Sequence, residues 1–200
     1  MKKTNRGNKP DEPKLVGLFA FQGDYSAHGR VIERLGQRFI EVKTPSDLEN
    51  CTHLIIPGGE STTYLKLLEF RDLEESVRKH VALSRPVFAT CAGVILLASE
   101  VRNPPQESFG LLNIVVERNS YGRQVDSFET DLKIPVLGDS AFYGVFIRAP
   151  RIAKTGENVE VLASYDGDPV LIKQGNILGA TFHPELTDNT RVHEYFLSLA

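Results

Sequence analysis

The chain has 200 residues, a net charge of −3, 41% hydrophobic and 24% charged residues, the balance of an ordinary globular protein able to bury one substantial core. That mild negative charge gives no electrostatic reason to expect nucleic acid or an anionic membrane as partner. Two cysteines, Cys51 and Cys91, are too few for a disulfide framework. No secretory leader opens the chain, and its longest apolar stretch, residues 87–98, is shorter than the ~20 residues that span a bilayer, so a reducing cytoplasmic setting is expected.

Residues 1–14 are polar, charged and proline-punctuated, and read as a disordered leader ahead of a single domain over residues 15–200. LVGLFAF, from Leu15, is near-continuously apolar, as suits a central parallel strand covered on both faces. Asp24 is placed to cap a helix that runs to Leu35 and stops at Gly36. Residues 39–42 and 53–56 read as strands, with a turn or short helix over 45–49 between them. Residues 61–70 and 72–81 have helical spacing, the latter opening on a D-x-x-E pattern at Asp72 and Glu75 that resembles a capping box. Residues 86–89 read as a buried strand and 93–98 as the start of an apolar helix. This alternation predicts an α/β fold: a three-layer, mostly parallel sheet with helices on both faces and its ligand at the strands' carboxyl ends. Beyond Leu111 the texture changes to short strands over 112–116, 128–133, 142–148, 159–165, 170–173 and 177–182, which predicts added antiparallel strands and hairpins. A helix over 188–199 closes the chain, with Val192, Phe196 and Leu199 on its packed side.

Cys91 falls at the bend between strand and helix in RPVFATCAGVILLA, where a helix N-terminus favours thiolate. It is either a nucleophile or an inert core thiol. A nucleophilic cysteine needs a base and a group that orients the base. His183 and Glu185, flanking Pro184 at the end of a strand, supply both, or form a surface pair. The two glycines of PGGEST, Gly58 and Gly59, mark a close backbone approach to a ligand or a plain tight turn. N–H groups near Gly59 and from Ala92 are the natural oxyanion donors. Arg118 and Arg148 are candidates for a carboxylate, with surface salt bridges as the alternative. Among the remaining histidines, His53, His80 and His193 lack a comparable setting, whereas His28 in the first helix stands out. No metal-binding spacing, phosphate loop or dinucleotide fingerprint occurs, and no cofactor is expected.

Six segments in order, FQGDYSAH from Phe21, LIIPGGESTT from Leu54, TCAG from Thr90, RNSYGRQVDSFE from Arg118, VFIRAP from Val145 and FHPELTDN from Phe182, resemble the class I, triad-type glutamine amidotransferases. Within them the chain is most similar to the glutaminase subunits of pyridoxal 5′-phosphate synthase. The resemblance, which runs from about Leu15 to the C-terminus, implies a flavodoxin-like fold and hydrolysis of L-glutamine to glutamate and ammonia. It implies a triad of Cys91, His183 and Glu185, an oxyanion held by Gly59 and Ala92, and substrate contacts from Gly59, Glu60, Ser61, Arg118, Ile147 and Arg148. It further implies a hetero-oligomer in which a synthase subunit activates the glutaminase and receives its ammonia for vitamin B6 synthesis, with Gln22 and His28 as interface or activation candidates. Two positions depart from the family pattern: Ala89 replaces a glycine two residues before the nucleophile, and Asn189 replaces an aspartate. A positive φ at Ala89 would strain the bend. The rival functions are a non-catalytic regulatory subunit that has lost turnover through Ala89, and a triad glutaminase serving another acceptor.

Overall fold

A computed structural model describes residues 13–21, 23–61, 63, 66, 72–118 and 127–200. The expected leader up to residue 12, Gln22, most of the helix at 61–70 and the segment 119–126 lie outside the described residues.

The apolar run after Lys14 forms β1 (Leu15–Phe19), and Asp24 caps α1 (Tyr25–Arg34), its carboxylate accepting from the Ala27 N–H at 3.0 Å. Next come β2 (Arg38–Val42), α2 (Pro45–Glu49), β3 (His53–Ile56), α3 (Leu73–Ala82), β4 (Val87–Thr90) and α4 (Ala92–Leu97). The strands β5 (Ala98–Arg102), β6 (Leu112–Glu117), β7 (Ser127–Leu132), β8 (Phe142–Ile147), β9 (Arg151–Thr155), β10 (Glu160–Tyr165), β11 (Asp168–Gln174) and β12 (Ile177–Ala180) follow, and α5 (Arg191–Ser198) ends the chain.

Seven strands form one sheet in the order β10-β11-β12-β4-β3-β1-β2. The five from β12 to β2 are parallel, and β10 and β11 extend the sheet as antiparallel neighbours. Period-two alternation sends successive side chains to opposite faces. Because both faces of β1, β3, β4 and β12 are covered, these central strands are largely apolar, whereas the edge strand β2 leaves Arg38 and Glu41 exposed. Leu54 and Ile56 of β3 and Val87 and Ala89 of β4 face a core built with Leu48, Leu73, Val77 and the side chains of α4. Ile55 and Phe88 face the other core, closed by Ile32 of α1, Phe142 and Phe146 of β8, and Val192 and Phe196 of α5.

Four local expectations need correction. The apolar run at 93–98 makes only the six-residue helix α4 and turns directly into β5, because Ala98 pairs with Leu112. Two strands fall outside those expected: β5 and β9, which carry too little alternation to be legible, flank β6 in a small sheet separate from the main one, as the β7-β8 hairpin is. Asp72 adopts a left-handed conformation at φ 54 and its side chain makes no cap, so the expected capping box is absent. The last helix begins at Arg191, since the turn after Pro184 absorbs the preceding residues; Asn189 still accepts from the Arg191 N–H at 3.2 Å.

Candidate active site

The parallel pairing of β4 with β12 sets the site. Thr90 lies opposite Ala180, and the Cys91 N–H donates to the Ala180 carbonyl at 2.8 Å, so the chain segments leaving both strands emerge side by side. The first continues into Cys91 and α4. The second leads to His183, whose N–H is tied to the Val145 carbonyl of β8 at 2.8 Å.

Cys91 itself carries the strain of the bend, with φ 46 and ψ −105. A non-glycine residue there costs on the order of 1–3 kcal/mol and persists only where its surroundings hold it. Ala89 remains an ordinary strand residue paired with Ile56 and Gly179, and it is not among the residues with positive φ. The methyl group is simply buried in the core. Cys91 is 7% exposed, and its thiol lies 3.8 Å from the Ile147 carbonyl. The second cysteine, Cys51, is wholly buried, and burial pushes its thiol up to about 11, the state of an inert core sulfur.

His183 Nδ1 lies 2.7 Å from Glu185 Oε1, which leaves Nε2 to meet the Cys91 thiol. Burial alone would lower the imidazole, but hydrogen bonds to Cys91 and Glu185 and the charges of both outweigh it and hold His183 at about 10. Burial would likewise raise Glu185. Nearby His28 and the hydrogen bond and charge of His183 oppose that and bring the carboxyl down to about 2. Burial also lowers His28 itself, so at neutral pH the charged unit is the pair His183–Glu185. Gly58 is needed beside it: a Cβ there would stand 2.6 Å from His183 Cε1 and 3.4 Å from Cys91 Cβ.

A cavity of about 240 Å³ opens onto this sulfur, lined by Gly58 and Gly59, Glu60, Ser61, Ala92, Arg118, Ile147, Arg148 and His183, among others. Its size is below that of sites for drug-sized ligands and matches one amino acid. The structure thus brings together the candidates Cys91, His183, Glu185, Gly59, Ala92, Glu60, Ser61, Arg118, Ile147 and Arg148. Arg148 is also held at positive φ, 43°, on the cavity wall. Gln22 lies outside the described residues. His28 is 0% exposed, so its side chain is not a surface contact as an interface role would require; it sits beneath Glu185 instead.

Two residues were missed from sequence. Gln106, in the loop before β6, accepts from both the Ser61 hydroxyl and Arg118 Nη1 at 2.7 Å, linking two cavity walls. Arg118 Nη2 is also 3.6 Å from Glu60. His193 of α5 is wholly buried, with its Nε2 2.9 Å from His28 Nδ1. An imidazole on the apolar stripe of Val192 and Phe196 was the available signal for His193; for Gln106 there was none.

The family model described as "SNO glutamine amidotransferase family" matches residues 18–199. This chain belongs to the SNO glutamine amidotransferase family. As a glutamine amidotransferase it is 53% identical over 184 residues to the pyridoxal 5′-phosphate synthase subunit PdxT of Thermotoga maritima, covering 92% of this chain and 98% of that protein. It is 54% identical over 183 residues to the subunit of the same name from Kosmotoga olearia, covering 91% and 95%. A crystal structure of a glutamine amidotransferase, 49% identical, superposes with a TM-score of 0.86 over 91% of this chain and 96% of that one. PurLQS from Thermotoga maritima, at 17% identity and a TM-score of 0.69 over 92% of this chain and 97% of that one, shares the fold. Among the described residues no helix is long and apolar enough to cross a membrane.

Proposed function

We propose that this chain is the glutaminase subunit of a pyridoxal 5′-phosphate synthase and hydrolyses L-glutamine through Cys91, His183 and Glu185. The observation that carries the chemistry is His183, anchored by Glu185 at 2.7 Å and hydrogen-bonded to Cys91 at the floor of an amino-acid-sized cavity. The acceptor follows from relatives of about half identical sequence that span nearly the whole chain and are named as subunits of that synthase.

In this mechanism the imidazolium of His183, paired with Glu185, is the counter-ion of the attacking sulfur. Cys91 Sγ then adds to the side-chain amide carbon of glutamine. The oxyanion that forms meets the N–H of Ala92, which as the first residue of α4 has no intrahelical partner, and that of Gly59. His183 returns its proton to the leaving nitrogen, ammonia departs, and a water activated by the same imidazole hydrolyses the thioester to glutamate. Arg118 and Arg148 are suited to the α-carboxylate, and Glu60 to the α-ammonium, because they line the cavity with the matching charges. Ammonia passes to the synthase subunit, and the reaction takes place in the cytoplasm.

The test is glutamate release by the purified chain with and without a matching synthase subunit. Turnover that rises sharply on addition of the synthase, with the nitrogen of amide-labelled glutamine appearing in pyridoxal 5′-phosphate, is the expected result. Full turnover by the isolated chain, or label that never reaches the product, contradicts the assignment.

Gln106 supplies a prediction for substrate binding. Gln106→Leu removes the acceptor shared by Ser61 and Arg118, and an unanchored arginine loses its aim before it loses its charge. KM for glutamine should rise about tenfold while kcat changes little, as when an interaction made equally in ground and transition states is removed. Steady-state kinetics in the presence of the synthase check it; an unchanged KM removes Gln106 from the binding machinery.

A further inference from the structure

Behind Glu185 lies a second buried layer that the mechanism above does not use. His28 Nε2 is 3.5 Å from Glu185 Oε2 and 3.4 Å from the Thr90 hydroxyl, and His28 Nδ1 is 2.9 Å from His193 Nε2. His28 and His193 are both 0% exposed, wedged edge-on against Phe88. Glu185 Oε2 and His193 Nδ1 have no hydrogen-bond partner among the described residues.

We infer that His28, set by His193, is a positioning residue for the glutaminase reaction that holds the second oxygen of Glu185 so that the first stays aimed at His183. The proton accounting favours one arrangement. At 2.9 Å the two imidazoles share a single proton. If His28 donated it from Nδ1, its Nε2 would face a carboxylate with a lone pair that only the Thr90 hydroxyl could satisfy, and His193 would carry a buried N–H at Nδ1 with no acceptor. If His193 donates from Nε2, His28 carries its proton on Nε2, facing Glu185, and the unpartnered atom on His193 is only a lone pair. Burial keeps both rings neutral, as this arrangement requires. The chain of donors then runs one way, from His193 to His28 to Glu185 Oε2, while His183 Nδ1–H holds Oε1. The 3.5 Å contact is long, as catalytic hydrogen bonds often are before substrate binds. The helix that carries His28 is capped by Asp24, which lines the substrate cavity, so α1 joins the cavity rim to the carboxylate behind the base.

This inference rests on the Cys91–His183–Glu185 mechanism. The test compares the full chain, assembled with its synthase subunit, as wild type, Cys91→Ser, His28→Leu and His28→Gln. Glutamine supports His28 because its side-chain amide places an N–H near the position of Nε2. For His28→Leu, kcat should fall about 10- to 100-fold with KM within about twofold, while His28→Gln stays within about threefold of wild type. A kcat for His28→Leu within about threefold of wild type, or a His28→Gln loss as deep as that of His28→Leu when both melt like wild type, overturns the inference. Turnover by Cys91→Ser instead defeats the triad reading, whatever the His28 variants do. Should His28→Leu fail to fold, nitrogen-15 NMR of the wild-type imidazoles decides: a proton on His28 Nε2 supports the inference and a proton on Nδ1 overturns it.

Discussion

Cys91→Ser is expected to lower glutamine hydrolysis by the synthase-bound chain at least about 1,000-fold while leaving its melting temperature unchanged. The two side chains are nearly the same size, so the strained bend, the Ala180 carbonyl contact and the buried face of α4 survive the change. What is lost is nucleophilicity. A hydroxyl gives up its proton far less readily than a thiol, and the hydrogen bond and charge of Cys91 that help hold His183 at about 10 are lost with the sulfur. Glutamate release against time measures the effect. Turnover close to wild type would remove Cys91 from the chemistry, because Cys51, buried beneath β1 and raised to about 11, has no route to substrate.

Glu185→Gln is expected to cost roughly 1,000- to 10,000-fold in kcat with a small change in KM, the scale seen when the orienting carboxylate of a catalytic triad becomes an amide. An amide nitrogen at the Oε1 position donates where the carboxylate accepted, so the imidazole must place its own proton on Nε2, facing the thiol it should deprotonate. The same substitution carries a pH signature in stability. His183, raised from 6.5 to about 10, contributes stability that is complete below its unfolded value and lost as pH rises through about 10. Glu185, lowered from 4.5 to about 2, contributes stability that is present above 4.5 and lost as pH falls through about 2. Melting curves should therefore show the largest gap between wild type and Glu185→Gln at mildly acidic to neutral pH, shrinking toward both extremes. A gap that does not vary with pH would mean that the two residues do not form an ion pair in the fold.

The parallel core was legible because its strands are short, apolar and punctuated by glycine and proline, so that β1, β3 and β4 stand out on pattern alone. His183 and Glu185 were legible as a pair because Pro184 takes both out of the ladder together. Legibility failed where tertiary contact overrides local preference. The apolar run after Cys91 has a helix's composition throughout, but Ala98 finds a strand partner in Leu112 and the helix ends after six residues. His193 lies 165 positions from His28 and meets it only because α1 and α5 cover the same face of the sheet. Ala89 does not take the positive φ that would have strained it, and the positive φ of the bend is at Cys91, two residues later. The rival reading, a regulatory subunit that has lost turnover through Ala89, finds no support in the ordinary strand geometry there.

The central claim, that Cys91 attacks a glutamine side chain held in the cavity at the carboxyl ends of the strands, is tested most directly by a glutamine analogue carrying an electrophilic ketone in place of the amide. Incubation with the synthase-bound protein, followed by peptide mass spectrometry, should place one label on the Cys91 peptide. Glutaminase activity should fall in proportion to labelling, and excess glutamine should protect. Label on another residue, or full activity in protein labelled at Cys91, would contradict the account.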